Sequence, residues 1–314
     1  MKNPLPTRIR RALLYSVVST AATLLFTYLT FPWNAVRDRL ETMLSSSLRG
    51  PDRSTFQVTI GELRPSWFTG LRFERLVIVS RDPAAPPDAP PATLIVPELT
   101  VRIELWPLVR RRPTVDFHAR LVSGEVSGQV RLGKKEQGLA LSIGRLDLNK
   151  SHDLFAVAGR FAGMDLGAME LAGALTGRAD LAFKGGDFAT LDGNVLAGLD
   201  HATLEGGRFG EYDLPKVALG KVDLQILAGR GKVDVRRIAM EGGDVDLHGD
   251  GVSLTLNRNF AFSMLHGQIK VHFGPDLLKR VPYLGLGLSA LKPPDHNGTY
   301  TLPLGGTLRN PRLM

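Results

Sequence analysis

ELTVRIEL (Glu98–Leu105) and TVDFHARL (Thr114–Leu121) decide the fold. In the first, Leu99, Val101, Ile103 and Leu105 are apolar while Glu98, Thr100, Arg102 and Glu104 are polar. In the second, Val115, Phe117, Ala119 and Leu121 alternate with Thr114, Asp116, His118 and Arg120. Side chains of a strand point to opposite faces in turn, so strict alternation means one wet face and one buried face. That is the signature of antiparallel strands. After the turn at Ser123-Gly124 the apolar set moves to even positions, with Val126, Val130 and Leu132.

The same pattern runs outward in both directions. Phe56–Ile60 and Leu71–Val79 precede it, separated from it by five prolines within Pro83–Pro91, a segment that can neither pair as a strand nor continue a helix. Downstream, Leu139–Leu148, Gly177–Phe183, Asn194–Leu204, Val217–Leu227, Lys232–Met240, Val245–Leu247, Val252–Leu256, Gln268–Phe273 and Thr299–Leu304 read as strands. Gly185-Gly186-Asp187, Gly206-Gly207, Gly242-Gly243-Asp244 and Asn297-Gly298 mark turns. No helix of useful length is expected between Thr55 and Phe273, and Pro275–Val281 reads as one or two helical turns. Sixteen to twenty strands at about 4.8 Å each predict a curved sheet roughly 75–95 Å across. Its apolar face must be covered by folding into a bent groove, a sandwich or an open barrel.

A different pattern opens the chain. Twenty-five uncharged residues lie between Arg11 and Arg37, preceded by Lys2, Arg8, Arg10 and Arg11. As a helix, Ala12–Phe31 is about 30 Å long, the thickness of a bilayer's hydrocarbon. The run is longer than the core of a secretory signal, and it ends in Tyr28, Phe31, Pro32 and Trp33 in place of a small-residue cleavage site. The expectation is an uncleaved anchor with a cytoplasmic N-terminus and the bulk of the chain periplasmic. Val36, Leu40, Met43, Leu44 and Leu48 then recur at helical spacing until Gly50-Pro51. This helix either lies on the membrane face or carries the chain into the strands. The reading divides the chain into a basic tail (1–11), a membrane helix (12–33), an amphipathic juxtamembrane helix (34–50) and a periplasmic antiparallel β domain (51–314). The fold class is mainly β behind a single membrane anchor.

Composition narrows the chemistry. With no cysteine among 314 residues, disulfides, thiolate catalysis and cysteine zinc sites are excluded. Of the net charge of +8, the tail supplies +4, and the remainder is too diffuse for nucleic acid. His248-Gly249-Asp250 with Asp244 and Asp246 fits the wet face of alternating strands better than a cation site. The Gly-Gly-Asp triplets lack the nine-residue period of calcium repeats. Gly285-Leu286-Gly287 follows no βα unit, Asn297-Gly298-Thr299 is better read as a hairpin, and no nucleophile elbow occurs. The sequence offers no catalytic residue, no metal ligand and no cofactor site, and the expectation is a protein that is not an enzyme.

Two places point to partners. Ser16, Thr20, Thr23, Thr27 and Thr30 fall on one seam of the anchor, where small hydroxyl residues let membrane helices approach. Bonding of each hydroxyl to its own backbone four residues back explains the same residues. Arg110, Arg111 and Arg112, between Trp106-Pro107 and Pro113, could meet lipid phosphates or an acidic surface, or form a solvated connection.

Trp67-Phe68-Thr69-Gly70-Leu71-Arg72-Phe73, running on to Val79, is followed by Val101–Val109, Val115 and Glu125-Val126-Ser127-Gly128. This order of elements resembles the N-terminal module of the AsmA/TamB-type inner-membrane proteins, whose elongated β groove is associated with lipid movement. The size, the single anchor and the ending Leu302-Pro303-Leu304-Gly305-Gly306-Thr307-Leu308-Arg309-Asn310-Pro311 are more similar to the type II secretion system protein N family. That resemblance implies an inner-membrane accessory or scaffold of the secretion pathway, with secretion-system membrane or secretin components as partners. The AsmA/TamB likeness implies a lipid-binding or lipid-transfer groove. Neither likeness carries a catalytic residue. A packed interior would speak against lipid carriage and an open apolar trough would favour it.

Overall fold

Fourteen antiparallel strands hydrogen-bond side by side in a single open sheet, almost entirely in chain order. The computed structural model describes residues 15–16, 18–20, 22–23, 26, 30–48, 55–66, 69–81, 91–109, 112–133, 136–150, 153–154, 157, 169–185, 187–206, 208–209, 212–213, 215–257, 262–281, 294–307 and 310–313. The strands are β1 (Thr55–Ser66), β2 (Gly70–Arg81), β3 (Ala92–Glu104), β4 (Thr114–Leu121), β5 (Gly124–Leu132), β6 (Gln137–Asp147), β7 (Met169–Lys184) and β8 (Asp187–Gly206). After the small ribbon β9 (Arg208–Phe209) and β10 (Tyr212–Asp213) come β11 (Val217–Gly229), β12 (Lys232–Glu241), β13 (Val245–Thr255), β14 (Met264–Phe273), β15 (Thr299–Thr307) and β16 (Asn310–Leu313). The sheet order runs from β1 to β8, then β11 to β16, with β9 and β10 paired apart.

This is fewer strands than the sequence pattern suggests, and at about 4.8 Å per step the sheet spans only some 60 Å. The difference lies in strand length. Val245–Leu247 and Val252–Leu256 belong to one strand, β13, and β8 alone is 20 residues long. Unpaired levels and bulges interrupt the alternation without ending the strand. In β1–β3 the ladder skips the level of Gly61, Arg75 and Pro97: Ile60 pairs Leu76 and Glu62 pairs Glu74, while Leu76 pairs Val96 and Glu74 pairs Glu98. Pro97 has no N–H to give, and Arg75 sits at φ 54° in the left-handed region. Apolar side chains on both sides of this level (Ile60 and Leu63, Leu76 and Phe73) therefore join one cluster although their parity differs. A second line of interruptions crosses β7, β8 and β11 at Gly173, His201 and Gly220, all with positive φ. Bulges of this kind add local right-handed twist.

Helix α1 (Trp33–Ser47) lies on the first strands, not free on a membrane face. Its stripe of Trp33, Val36, Leu40 and Leu44 packs with Val58, Ile60, Leu63, Phe73, Leu76 and Val96, whereas Met43 is exposed. The same helix closes an edge. Among the described residues β1 pairs only with β2, so alternate N–H groups of β1 point outward; Val58 N–H donates to Ser45 Oγ (2.9 Å) and Ile60 N–H to Glu41 Oε1 (2.6 Å). Arg37 reaches the carbonyl of Gly61 at 3.5 Å.

Short helical segments complete the described architecture, among them a 3₁₀ turn at Leu148–Lys150. α2 (Leu105–Val109), between β3 and β4, was not legible as a helix; α3 (Pro275–Arg280) matches the expected turn. Leu277 and Val281 plug the margin formed by Val217, Leu219, Val245 and Phe273. Arg280 Nη2 donates to Asp244 Oδ2 at 2.7 Å, and Ala218 N–H donates to the same carboxylate. That backbone donor first, then the guanidinium, holds the Asp244 carboxyl below the usual range.

Buried apolar residues form five separate clusters in place of one core. The chain exposes 20803 Å², whereas a compact monomer of 34.2 kDa exposes about 13,000 Å². Among the described residues no helix is long and apolar enough to cross a membrane; much of the run 12–33 lies outside them.

Replacing both Glu41 and Ser45 by Ala leaves the outward N–H groups of Ile60 and Val58 without their side-chain acceptors. Chemical denaturation of the double variant should show a loss of about 2 kcal/mol and a new tendency to self-associate through β1. A variant as stable and as monodisperse as the parent would refute the edge-closing role.

Candidate functional site: an uncovered apolar face

Strand pairing joins the alternating residues into rows that cross the sheet. One row runs Leu99, Ala119, Val126, Ile143, Gly177, Ala197, Leu224 and Ile238, each the direct cross-strand partner of the next. Ile238 closes over Gly249 of the next strand, and Gly249, Ile269 and Leu302 carry the row onward. A second row runs Val101, Phe117, Gly128, Leu141, Ala179, Val195 and Ile226, with the Phe117 ring over Gly128. A third runs Ile103, Val115, Val130, Leu139, Leu181, Gly193, Ala228, Val233, Leu254 and Leu265.

The middle of this surface has neighbours within the sheet and little above it. Leu141, Val195, Leu224, Ile238, Ile269 and Leu302 are only half-buried, and none belongs to the five clusters. Among the described residues, cover is at the margins. α1 sits over β1–β3, Leu148 and Leu154 pack with Leu146, Leu199 and Ala202, Val157 packs with Phe56 and Ala92, and α3 closes the margin at β11–β14. The three rows cross ten, six and nine strand spacings, about 48, 29 and 43 Å, so the strip is roughly 500 Å² in plan. This lies in the upper part of the range for the largest apolar patch on a monomer. Glycines and alanines alternate with the larger residues along it, so its floor is uneven.

The other face is wet. Arg64, Glu62, Glu74, Arg72, Glu98, Arg120 and Glu125 form a continuous ladder of ion pairs across β1–β5, with Arg64 Nε to Glu62 at 2.7 Å and Arg72 to Glu98 at 3.2 Å. Exposed pairs of this sort contribute little stability. Their effect is to fix which face meets water. Thr176, Arg178, Leu196, Asp223, Gln225 and Arg237 line an open depression of about 450 Å³ on the same side.

The residues singled out from sequence fall as follows. Thr23 and Thr30 donate to the carbonyls of Ser19 (2.9 Å) and Phe26 (2.8 Å), one turn back. Ser16 and Thr20 are helical, and Thr27 lies outside the described residues. Two hydroxyls of the seam thus have their donors used locally, as an isolated helix allows. Arg110 and Arg111 also lie outside the described residues; Arg112 is exposed, and its N–H closes onto the Pro107 carbonyl at 2.9 Å. Asp244 belongs to the α3 contact and Asp250 pairs with Lys270 at 3.3 Å. No group of three His, Asp or Glu among the described residues could hold a metal ion. Sequence reading missed α2, where Leu105, Trp106 and Leu108 are 59%, 69% and 48% exposed. Leu105 reads as the end of an alternating strand, which hid the change of backbone.

Just before α2, on the wet face, Gln129 Nε2 bridges two carboxylates, donating to Asp116 at 2.9 Å and Glu104 at 3.3 Å. Partial burial, then the negative charge of Asp116, raises the Glu104 carboxyl above its usual value.

Comparison with family models, with curated proteins and with solved structures found no significant match.

Because Glu104 holds its proton more tightly folded than unfolded, its ionisation opposes folding above its folded pKa and ceases to do so below it. Glu104→Gln should therefore stabilise at pH 7 by under about 1 kcal/mol, with the gain vanishing as the pH falls through that value. Paired urea titrations at neutral and acid pH check the sign; a stability gain independent of pH would contradict it.

Proposed function

We propose that this chain is a non-enzymatic, membrane-tethered protein of the cell envelope whose open sheet holds lipid acyl chains along its apolar face. The observation that carries this reading is the middle of the strip: Leu141, Val195, Leu224, Ile238, Ile269 and Leu302, half-buried, outside the five core clusters and spread over seven strand spacings, about 34 Å. A scaffold that offers only its outer surface has no need of such a strip, and exposing it to water opposes folding. An acyl chain is a fitting occupant because it is long, narrow and without polar groups. The strip supplies no row of hydrogen-bond partners within its floor, so recognition would be by shape and apolar area, tolerant of head group.

In this reading Ala12–Phe31 spans the inner membrane, with Met1–Arg11 cytoplasmic and the sheet on the far side. The likeness of Trp67–Val79 to the AsmA/TamB-type module is consistent with it. The secretion-accessory role implied by the C-terminal likeness needs no apolar strip, and the experiment separates the two.

The full-length protein, extracted in membrane nanodiscs and analysed by native mass spectrometry after transfer to mild detergent, should retain phospholipid. Ala179→Trp and Val195→Ser, on the floor of the strip, should lower bound lipid by about tenfold, while Arg178→Gln on the wet face leaves it unchanged. Absence of lipid from the parent protein, together with a deletion strain whose secreted proteins change and whose envelope lipids do not, would replace this reading with the secretion-accessory one.

A further inference from the structure

We infer that α2 is a second membrane contact: a short amphiphilic tip that seats in the interface of an anionic bilayer beside the anchor. This rests on the reading that Ala12–Phe31 lies in the membrane, but not on lipid occupying the sheet.

The inference begins with where α1 points. Ser45 meets Val58, Glu41 meets Ile60 and Arg37 meets Gly61, so the helix descends as the strand number rises. Its first residue, Trp33, is about 12 Å beyond Glu41 along the helix, a reach equal to three or four strand residues past Ile60. The start of α1, where the uncharged run enters it, is thus near the Ser66 end of β1. Gly70 pairs both Ser66 and Arg102, and Ile103 N–H donates to the Thr69 carbonyl at 3.0 Å. α2, which begins at Leu105, therefore projects from the same end of the sheet, about 18 Å past the level of Trp33 along the strand direction.

The chemistry of the tip suits that position. Ile103, Leu105, Trp106 and Leu108 expose 44%, 59%, 69% and 48% of their surface within six residues. Arg110, Arg111 and Arg112 follow directly in the sequence. Tryptophan is favoured at head-group depth, leucines reach the acyl boundary, and arginines next to them meet lipid phosphates. The exposed turn at the opposite end of β4, Val122-Ser123, has no such run of arginine beside it. A solvated strand connection explains the arginines alone. It leaves the adjoining Leu105, Trp106 and Leu108 unaccounted for.

The absence of cysteine makes the test direct. Leu108→Cys and, separately, Val122→Cys in the full chain are labelled with an environment-sensitive fluorophore. Each is reconstituted in nanodiscs of phosphatidylethanolamine and phosphatidylglycerol containing nitroxide-bearing lipid. The label at 108 should be quenched at least about threefold more than that at 122, and Arg110→Gln with Arg112→Gln should reduce the difference. Leu105→Cys serves as a second reporter should the first disturb α2. Equal quenching at 108 and 122 overturns the inference. So does a label at 108 that is shielded from water yet unquenched, which would mean a protein contact, and so does quenching just as strong in pure phosphatidylcholine. Lipid retention by the sheet is read independently, so loss of one result leaves the other standing.

Discussion

The antiparallel backbone ladder is what the rest of this molecule depends on. In most domains the ladder organises a core, and burial of that core supplies the cohesion. Here, among the described residues, buried apolar residues gather in five small groups, and the hydrogen bonds of successive strands run from Thr55 to Leu313. Almost every strand therefore depends on the strands next to it in sequence. Loop closure between such neighbours costs little entropy, so long-range order is built from a series of local steps.

That constraint explains what the side chains do. A single-layer sheet must still tell its two faces apart, because a register slip by one residue would exchange them. The ion-pair ladder from Arg64 to Glu125 marks the wet face of β1–β5, and the rows from Leu99 to Leu302 mark the other. The levels at Gly61–Arg75–Pro97 and at Gly173–His201–Gly220 keep apolar residues on one face while the backbone loses step. The half-buried strip is thus a product of the architecture itself: among the described residues no second sheet packs over it.

Much of this is visible in the sequence. Alternation in Glu98–Leu105 and Thr114–Leu121 reports antiparallel strands directly, and the stripe from Val36 to Leu44 reports a helix with one apolar side. Three things are not legible, each for a physical reason. The unpaired level at Gly61, Arg75 and Pro97 breaks the period of two, so β1 seems to stop at Ile60 although it continues to Ser66. A five-residue helix such as α2 is too short to establish a helical period, and Leu105 satisfies the preceding strand pattern equally well. Whether an apolar face is covered depends on tertiary placement, and alternation is the same for a filled sandwich and a bare trough. The candidate site belongs to this last class, since its residues are evident from pattern and its openness is not.

The way α1 closes β1 has a further consequence. Ser45 and Glu41 take up outward donors of the first strand, whereas β16 ends the sheet at the other side with β15 as its one neighbour among the described residues. Among the described residues the sheet is consequently polar in the sense that a growing filament is polar, with one edge capped by α1 and the other, at β16, uncapped. Among the described residues, a strand supplied by another copy or by a partner's extended segment would meet its unpaired edge at β16, away from α1.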